Sequence, residues 1–341
     1  MNDTPGTRIP PGRRRRPGRL PALDDDVGKV HAVAVSGERE IGMNETAWRK
    51  LRGYLMRSTL ASSLAALILM GVMSTWAASP TPSAAAAVVP TVVTIEWHDG
   101  NADQINVLPI LDDPARPMHA TFLVNTGPIL AQDPAKLTVA QVQAIFNDGN
   151  EIGGHTLDHV NVQPLATADA RYQICTDRNN LLDMNVLPTT FAYPFASFDS
   201  ASEDAAHYCN YNDASATAGL TLKGPVANAI PPADPYAIRT VPAVKKSTKL
   251  KTLEQYVFNA EASAQAQGSA WIIFVFHHLC GVHSHCGPYV ISPAKFGAFL
   301  DFLHNQAANG VVVKTMADVM DGAVKGKCDP VSGTGCDTTP R

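Results

Sequence analysis

Charge is scarce and nearly balanced in this sequence. Only 17% of its 341 residues are Asp, Glu, Lys or Arg, and the formal net charge at neutral pH is −4. Proteins that bind nucleic acid non-specifically carry a strong positive charge, so this balance excludes a general nucleic-acid binder. No internal repeat is visible either, and nothing points to a repeat architecture. The length and the 45% hydrophobic content allow one large domain or two small ones.

The N-terminal segment, residues 1–42, contains a dense run of like charge from Arg13 to Arg16. The run lies among Pro and Gly residues, a setting that predicts a solvated, disordered tail rather than a binding patch. Met43 opens a more typical export signal than Met1 does. Residues 1–42 are therefore predicted to be either a disordered extension or a stretch that precedes the true start codon.

Charged residues are absent between Arg57 and Glu96. Residues 59–78 are apolar or small, four basic residues precede them, and a linker rich in Ala, Ser and Pro follows over residues 80–90. This pattern predicts a secretory signal over residues 43–79, with cleavage near Ala77-Ala78-Ser79. An uncleaved membrane anchor is the alternative, because about 20 apolar residues can span a bilayer. Both predict that the rest of the chain is secreted or lies at the cell surface.

The sequence has six cysteines, which suit an exported protein with disulfides. Two pairs are close in sequence, and their removal leaves a third. We therefore predict the disulfides Cys280–Cys286, Cys328–Cys336 and Cys175–Cys209, although six cysteines allow fifteen connectivities. The alternative for the first pair is a zinc site completed by His283 and His285, but an exported chain favours the disulfide.

Strands and helices alternate after the linker. Apolar, β-branched runs predict strands over residues 88–96, 118–125, 151–155, 189–194, 270–276 and 311–313. Apolar residues at helical spacing, with caps at Thr138 and Ser292, predict helices over residues 138–147, 167–184, 252–267, 292–309 and 316–324. Residues 224–244 are predicted to form a long surface loop, and residues 325–341 a small loop or disordered tail.

Continuous apolar strands that alternate with helices predict a parallel sheet covered by helices, an α/β fold. About six to eight strands suit either a barrel or an open sheet, and in both the functional side chains gather at the carboxyl ends of the strands. Four predicted strands end next to residues that could act there: Asp99, His155, Tyr193-Pro194 and His277.

His155 and His159 are four residues apart at one of these strand ends. If a helix begins there, the two side chains share one face and can bind one metal ion. Asp99 is the best candidate for an oxygen ligand, which would complete a site of two histidines and one carboxylate with positions open for water. Asp158 is predicted to face away. His277 is either a general acid or base, or a histidine that hydrogen-bonds to the backbone.

The order of these motifs resembles the polysaccharide deacetylase family, the NodB-homology domain of carbohydrate esterase family 4. The resemblance spans residues 91–321 and rests on Trp97-His98-Asp99-Gly100, the strand from Met118 to Asn125, Gly153 to His159, Phe191 to Phe195, and Val275 to His278. It implies a distorted (β/α) barrel of about seven parallel strands over residues 91–324. It also implies a divalent ion, zinc or else cobalt or nickel, and hydrolysis of N-acetyl or sometimes O-acetyl groups on an acetylated polysaccharide. We expect a monomer.

The same resemblance implies roles for individual residues. The implied metal ligands are Asp99, His155 and His159. The implied general base and general acid are His98 and His277. The implied substrate-binding residues are Tyr193, Pro194 and Phe195, with the backbone N–H of Phe195 facing the oxyanion. Core packing is the alternative for the two aromatic rings.

Two positions depart from the family pattern. His98 stands where the family has an aspartate base, and Ala192 stands where it has the arginine that holds that aspartate. An arginine pairs well with a carboxylate but has no partner in an imidazole, so the two residues are predicted to have been exchanged together. We expect His98 to remain the base. The alternatives are a third nitrogen ligand, an inactive protein that only binds glycan, and a hydrolase of another non-peptide carbon–nitrogen bond.

Overall fold

The computed structural model describes residues 89–281 and 286–341. The predicted N-terminal extension, the export signal and nearly all of the linker lie outside the described residues, as do His283 and His285. Within the described residues, no helix combines the length and the apolar character needed to cross a membrane.

The elements of the described residues are as follows. The strands are β1 Thr91–His98, β2 Thr121–Val124, β3 Glu151–Gly154, β4 Thr190–Tyr193, β5 Asp213–Gly219, β6 Ile238–Thr240, β7 Ala270–Phe276, β8 His278–Leu279, β9 Val290–Ile291 and β10 Val311–Val313. The α-helices are α1 Leu108–Leu111, α2 Thr126–Leu130, α3 Val139–Asn147, α4 Thr167–Asp183, α5 Ser200–Tyr208, α6 Leu250–Gln267, α7 Pro293–Asn305 and α8 Met316–Met320. Short 3₁₀ helices cover Ala102–Val107, Pro194–Ala196 and Gln306–Asn309.

The parallel strands form a barrel, and β1 is a wall strand with neighbours on both of its edges. Strand β7 pairs with β1 along one edge, while β10 and β2 share the other edge, and the order continues through β3, β4, β5 and β6. After β6, the backbone N–H groups of Val241 and Val244 donate to the carbonyl oxygens of Ile273 and Val275 in β7. The sheet therefore returns to its start. The predicted distorted barrel of about seven parallel strands is confirmed, with β10 added beside the start of β1.

The outward face of β1 packs under helices. Trp97 is fully buried, with its ring centroid 5.2 Å from that of Phe276 in β7 and 5.2 Å from that of Phe296 in α7. Burying one large apolar side chain contributes about 2–3 kcal/mol, so this cluster fixes β1 and β7 beneath α7. The alternation of side chains along a strand then sends Glu96 and His98 to the opposite face.

That opposite face gives the barrel a polar interior. The hydroxyl of Ser215 in β5 lies 3.3 Å from Oε2 of Glu96 in β1, although these strands are not neighbours, so both side chains point inward. Glu151 and Asp213 are buried as well. Burial raises the pKa of both carboxyl groups above their ordinary values, and raises the pKa of Glu96 to about 8.

Several predicted elements differ from those observed. The predicted loop over residues 224–244 contains β6, and the prediction missed α5 and β5. Strand β6 has only three residues, too few for a period of two to be visible. Residues 325–341 form a closed loop rather than a disordered tail, because the guanidinium of Arg178 donates to the carbonyl oxygens of Lys325 and Gly326.

The described cysteines form disulfides in the predicted pairs, Cys175–Cys209, Cys280–Cys286 and Cys328–Cys336. The first joins α4 to the residue that follows α5, and the third closes the C-terminal loop. Because Cys280 and Cys286 are bonded to each other, their sulfur atoms are not available to a zinc ion.

Candidate functional site

One cavity lies at the carboxyl ends of the barrel strands. Its volume is about 340 Å³. The side chains predicted to be functional that line it are His98, Asp99, His155, His159, Phe195 and His277. Other wall residues include Thr217, Pro242, Lys245 and Tyr289. The barrel therefore brings together residues that are up to 191 positions apart, counted from His98 to Tyr289.

Three of these side chains form a cluster suited to a metal ion. Oδ1 of Asp99 lies 3.4 Å from Nε2 of His155 and 3.2 Å from Nε2 of His159. The three atoms are all within 4.8 Å of one another. Oδ1 is buried and accepts no hydrogen bond from a described residue. Two imidazole nitrogens and one carboxylate oxygen, with positions left open, fit an ion of the zinc type.

His155 is held in the tautomer that a metal ligand needs. Its Nδ1 lies 2.7 Å from the carbonyl oxygen of Ala192, so Nδ1 carries the hydrogen and Nε2 keeps its lone pair. The backbone N–H of His155 donates to Oδ2 of Asp177 at 3.0 Å. Burial lowers the pKa of His155 to about 4, which keeps the ring neutral. The ligand is therefore oriented by the protein alone.

The conditional prediction of a helix at His155 is wrong, because both histidines lie in a loop after β3. Thr156 and His159 have left-handed backbone conformations, with φ of 67° and 55° respectively, outside the helical range. The side-chain amide of Asn125 donates to the carbonyl oxygens of His155 and Thr156 and holds this loop. Asp158 is exposed, as predicted.

Left-handed backbone is concentrated around the cavity. Of nine described non-glycine residues with positive φ, five belong to this region: Asp99, Thr156, His159, Phe195 and Ala196. Such a conformation costs about 1–3 kcal/mol at each residue and persists only where the surroundings impose it. The left-handed backbone thus lowers the stability of the fold and fixes the orientation of the Asp99 and His159 side chains.

His98 lines the cavity but is not part of the ligand cluster. It is 1% exposed, and its Nε2 lies 2.8 Å from Oε2 of Glu96. Its Nδ1 is buried without a hydrogen-bond partner among the described residues. Burial lowers the pKa of His98 to about 4, so the imidazole is neutral at physiological pH. Because Glu96 occupies Nε2, Nδ1 is the ring nitrogen left for chemistry.

His277 lies next to His98, with ring centroids 5.6 Å apart. The side-chain amide of Gln104 donates to the carbonyl oxygens of both histidines, at 2.8 Å for His277, and so ties the ends of β1 and β7 together. Burial, followed by the charge of His98, lowers the pKa of His277 to about 3. Its Nδ1 is buried and has no partner among the described residues.

The three residues predicted to bind substrate occupy different environments. Tyr193 is fully buried, and its hydroxyl donates to the carbonyl oxygen of Tyr236 at 3.0 Å. Its ring therefore belongs to the core and does not reach the cavity. Pro194 is buried as well. Phe195 is 64% exposed, and its ring centroid is 4.7 Å from that of His159, so it stands at the cavity rim.

Sequence reasoning missed several residues of the site. Glu96 has a visible signal, because it is a charged residue in an apolar strand two positions before His98 and therefore on the same face. Lys245 and Tyr289 have none, since they come from loops. The Lys245 ammonium lies 5.3 Å from the centroid of the Tyr289 ring, which is 5.2 Å from that of His277.

Comparison with solved structures finds similar chains of low identity. One is a mutant of BA3943 from Bacillus anthracis, a CE4 family pseudoenzyme with restored enzymatic activity, at 14% identity and a TM-score of 0.43, covering 69% of each chain. Another is the Streptococcus pyogenes deacetylase PplD in complex with acetate, at 21% identity and a TM-score of 0.39, covering 48% of this chain and 69% of that chain. The peptidoglycan deacetylase PdaC from Bacillus subtilis has 15% identity and a TM-score of 0.40, covering 67% of this chain and 90% of that chain.

At these identities and TM-scores, the activities of the similar proteins are not assigned to this chain. No curated protein matches the sequence. The family model described as polysaccharide deacetylase matches residues 88–214, a segment that contains Asp99, His155 and His159. Residues 88–214 of this chain therefore carry its match to the polysaccharide deacetylase family.

Proposed function

We propose that this protein is a metal-dependent hydrolase that removes acetyl groups from a polysaccharide. The observation that carries the proposal is the convergence of Asp99, His155 and His159 around an open cavity inside the matched family segment. N-acetyl groups are the expected substrate, with O-acetyl groups as the alternative. Zinc is the expected ion, with cobalt or nickel as alternatives.

The side chains of Asp99, His155 and His159 would hold the ion. When bound, a zinc-type ion polarises a carbonyl group and lowers the pKa of a water molecule. His98 accepts the proton of the attacking water, because its ring is neutral and Nδ1 is free. His277, whose ring lies 5.6 Å from that of His98, passes a proton to the departing amine and recovers the proton that His98 took from the water.

The rim of the cavity supplies surfaces for a sugar chain. Phe195 offers an exposed ring beside His159, and its backbone N–H is proposed to donate to the oxyanion. Tyr289 offers a second half-exposed ring beside His277. Two aromatic rings in the wall of one cavity suit a ligand with flat, apolar faces and polar edges, such as a pyranose.

A second candidate function is glycan binding without catalysis. It is favoured by the first motif, where His98 replaces the aspartate base that the family resemblance implies, and by Ala192 in place of the arginine. The His98→Asp variant separates the two functions. If the wild-type protein is inactive and this variant gains activity, the protein is a binder built on the deacetylase fold.

Acetate release is the direct test. The zinc-loaded protein is incubated with acetylated chito-oligosaccharides and with acetylxylan, and acetate is measured enzymatically. We expect release that stops after chelation and returns with zinc. Asp99→Asn is the matched inactive variant, and His304→Ala, at an exposed position in α7, is the control. Acetate release that is unchanged by complete chelation would contradict the proposal.

We also propose that the mature protein is exported. The disulfides Cys175–Cys209 and Cys328–Cys336 support this, because such bonds persist in oxidising compartments. N-terminal sequencing of the protein recovered outside the cell distinguishes cleavage near Ser79 from a retained anchor. Recovery of the whole protein in the cytoplasm, with free thiols, would contradict export.

A further inference from the structure

Glu96 is a buried carboxyl group in contact with His98, which lines the cavity. It is 0% exposed, and its Oε2 contacts both Nε2 of His98 at 2.8 Å and Oγ of Ser215 at 3.3 Å. A carboxyl group that loses its contact with water is destabilising unless polar partners replace the water. The two described partners of Glu96 include the side chain expected to act as the base.

We propose that Glu96 is a positioning residue that holds the imidazole of His98 by Nε2, so that Nδ1 is the atom that accepts the proton. This inference rests on the proposed hydrolysis. Glu96 thereby does for His98 what the arginine implied by the family resemblance, replaced here by Ala192, does for the family's aspartate. With His98 in place of an aspartate, the partner required is a hydrogen-bond acceptor, and Glu96 of the same strand provides it.

The ionisation of Glu96 decides which nitrogen of His98 is free. As a carboxylate, Glu96 can only accept, so Nε2 carries the hydrogen and Nδ1 presents a lone pair. As a protonated acid, Glu96 donates to Nε2, and Nδ1 then carries the hydrogen and cannot accept another. The base therefore requires the carboxylate form of Glu96.

The surroundings of Glu96 contain groups that act in both directions. Burial raises its pKa to about 8, whereas the hydrogen bond from Ser215 and the charge of His155 lower it. Among the other interior carboxyl groups, Glu151 and Asp213 are themselves affected by the charge of Glu96. A divalent ion held by Asp99, His155 and His159 adds positive charge and therefore favours the carboxylate.

The step balances as an ordinary amide hydrolysis. One O–H bond of water breaks, its proton goes to Nδ1 of His98, and the oxygen forms a bond to the acetyl carbon. The new imidazolium remains paired with the carboxylate of Glu96 through Nε2–H. The C–N bond then breaks as the amine takes a proton from the ring N–H of His277, and His277 recovers a proton from the His98 imidazolium. The acetic acid formed gives its remaining proton to the amine and leaves as acetate, so both rings return to their starting state. No oxidant or reductant is needed.

Nitrogen-15 NMR of histidine rings tests the inference without relying on activity. Zinc-loaded protein labelled at histidine is measured at about pH 9, above the pKa of Glu96, and His98 is assigned from the signal that disappears in a His98→Gln variant. We expect the Nε2–H tautomer in the wild-type protein. The Nδ1–H tautomer at this pH would overturn the inference.

The Glu96→Gln variant tests the consequence for catalysis. We expect kcat to fall by about 10- to 100-fold while KM and bound zinc stay unchanged, the range typical of residues that orient a catalytic group. Glu151→Gln is the matched control, because Glu151 is a buried glutamate of β3 that accepts from Thr121 Oγ1 and the Ala317 N–H. We expect it to lower stability without changing the His98 tautomer.

The outcomes separate this inference from the proposed function. Absence of acetate release from the wild-type protein would contradict the function, while the tautomer of His98 still reports on Glu96. Unchanged kcat in an active, folded Glu96→Gln variant would overturn the inference alone. Loss of zinc from that variant would also overturn it, because Glu96 would then act on the ion site rather than on His98.

Discussion

At the residue scale, few protein atoms form hydrogen bonds with the atoms that are proposed to bind the ion. Oδ1 of Asp99 has no hydrogen-bond partner among the described residues, and the carbonyl oxygen of Ala192 engages Nδ1 of His155 rather than Nε2. Binding therefore requires little rearrangement of the protein, and the loss of one ligand cannot be offset by a neighbour.

The His155→Ala variant tests this dependence. We expect the zinc content to fall from about one ion per chain to nearly none, because the number of protein ligands falls from three to two. Metal content is measured by mass spectrometry after dialysis, and circular dichroism checks the fold. His304→Ala controls for the general loss of a histidine. Full zinc occupancy in His155→Ala would refute the assignment of the ligands.

Asp213 makes a pH-dependent contribution to stability. Burial raises its folded-state pKa well above 3.8, and its Oδ1 has no hydrogen-bond partner among the described residues. The folded state therefore keeps a proton that the unfolded state loses, so the contribution is largest below pH 3.8 and declines as pH rises towards the folded-state pKa.

Asp213→Asn removes this titration. We expect the free energy of unfolding of the variant, relative to wild type, to be higher at neutral pH than at pH 4, as measured by urea denaturation at both values. Asp148→Asn, on the exposed residue that caps α3, is the control. An equal difference at both pH values would show that Asp213 does not titrate in this way.

At the element scale, β3 leads into the loop that contains His155 and His159, and its last residue, Gly154, has no room for a side chain. A Cβ built on Gly154 would lie 1.9 Å from the hydroxyl oxygen of Tyr211 and 2.8 Å from Oδ2 of Asp177. Since Asp177 accepts the backbone N–H of His155, a shift at this point moves a metal ligand. The glycine is thus required by close packing on both sides.

We expect Gly154→Ala to lower the free energy of unfolding by about 1–3 kcal/mol and to weaken zinc binding, because an overpacked strand must move. Urea denaturation and zinc titration measure the two effects. Gly326→Ala is the matched control, since nothing lies within 4 Å of a Cβ built there. Equal stability of the two variants would contradict this account of β3.

Elements with a strong local pattern could be predicted from the sequence, and weakly patterned ones could not. Strand β7 has the predicted bounds because every one of its residues is apolar and buried. Helix α3 begins after Thr138, whose capping box with Gln141 is readable as Thr followed three residues later by Gln. Strand β5 reads Asp-Ala-Ser-Ala-Thr-Ala-Gly, and its small residues give no strand signal.

The same distinction holds for the site. Spacing in the sequence brought Asp99, His155 and His159 together as ligands, but it suggested a helix where the structure has a loop. The loop depends on Asn125, which is distant in sequence and carries no local signal. The burial of Tyr193 likewise depends on Tyr236, a contact that only the folded chain creates.

At the scale of the whole molecule, the disulfides constrain the unfolded chain unequally. Cys175 and Cys209 enclose a separation of 34 residues, whereas Cys328 and Cys336 enclose 8. In the chain-entropy description, loops of these sizes contribute about 4 and about 2.5 kcal/mol, respectively. The first bond also joins α4 to the residue that follows α5.

We expect replacement of both Cys175 and Cys209 by Ser to lower the free energy of unfolding by about 1–2 kcal/mol more than replacement of Cys328 and Cys336 does. Urea denaturation under oxidising conditions measures both double variants against the wild-type protein. A larger effect of the shorter loop would mean that packing of the C-terminal loop, rather than chain entropy, dominates.

The barrel is not equally strong around its circumference. Seven positions of β1 pair with β7, whereas the other edge of β7 makes four described backbone hydrogen bonds. Two join Asn228 and Trp271, and two are donated by the amides of Val241 and Val244 after β6. Local opening costs least where few hydrogen bonds must break, so these two amides should exchange with deuterated solvent faster than those of β1. Pro242, which lies between them, lines the cavity. A polymer too long to enter the cavity through its mouth at the strand ends would therefore meet the proposed ion site beside Pro242. This is the part of the barrel wall that opens most readily.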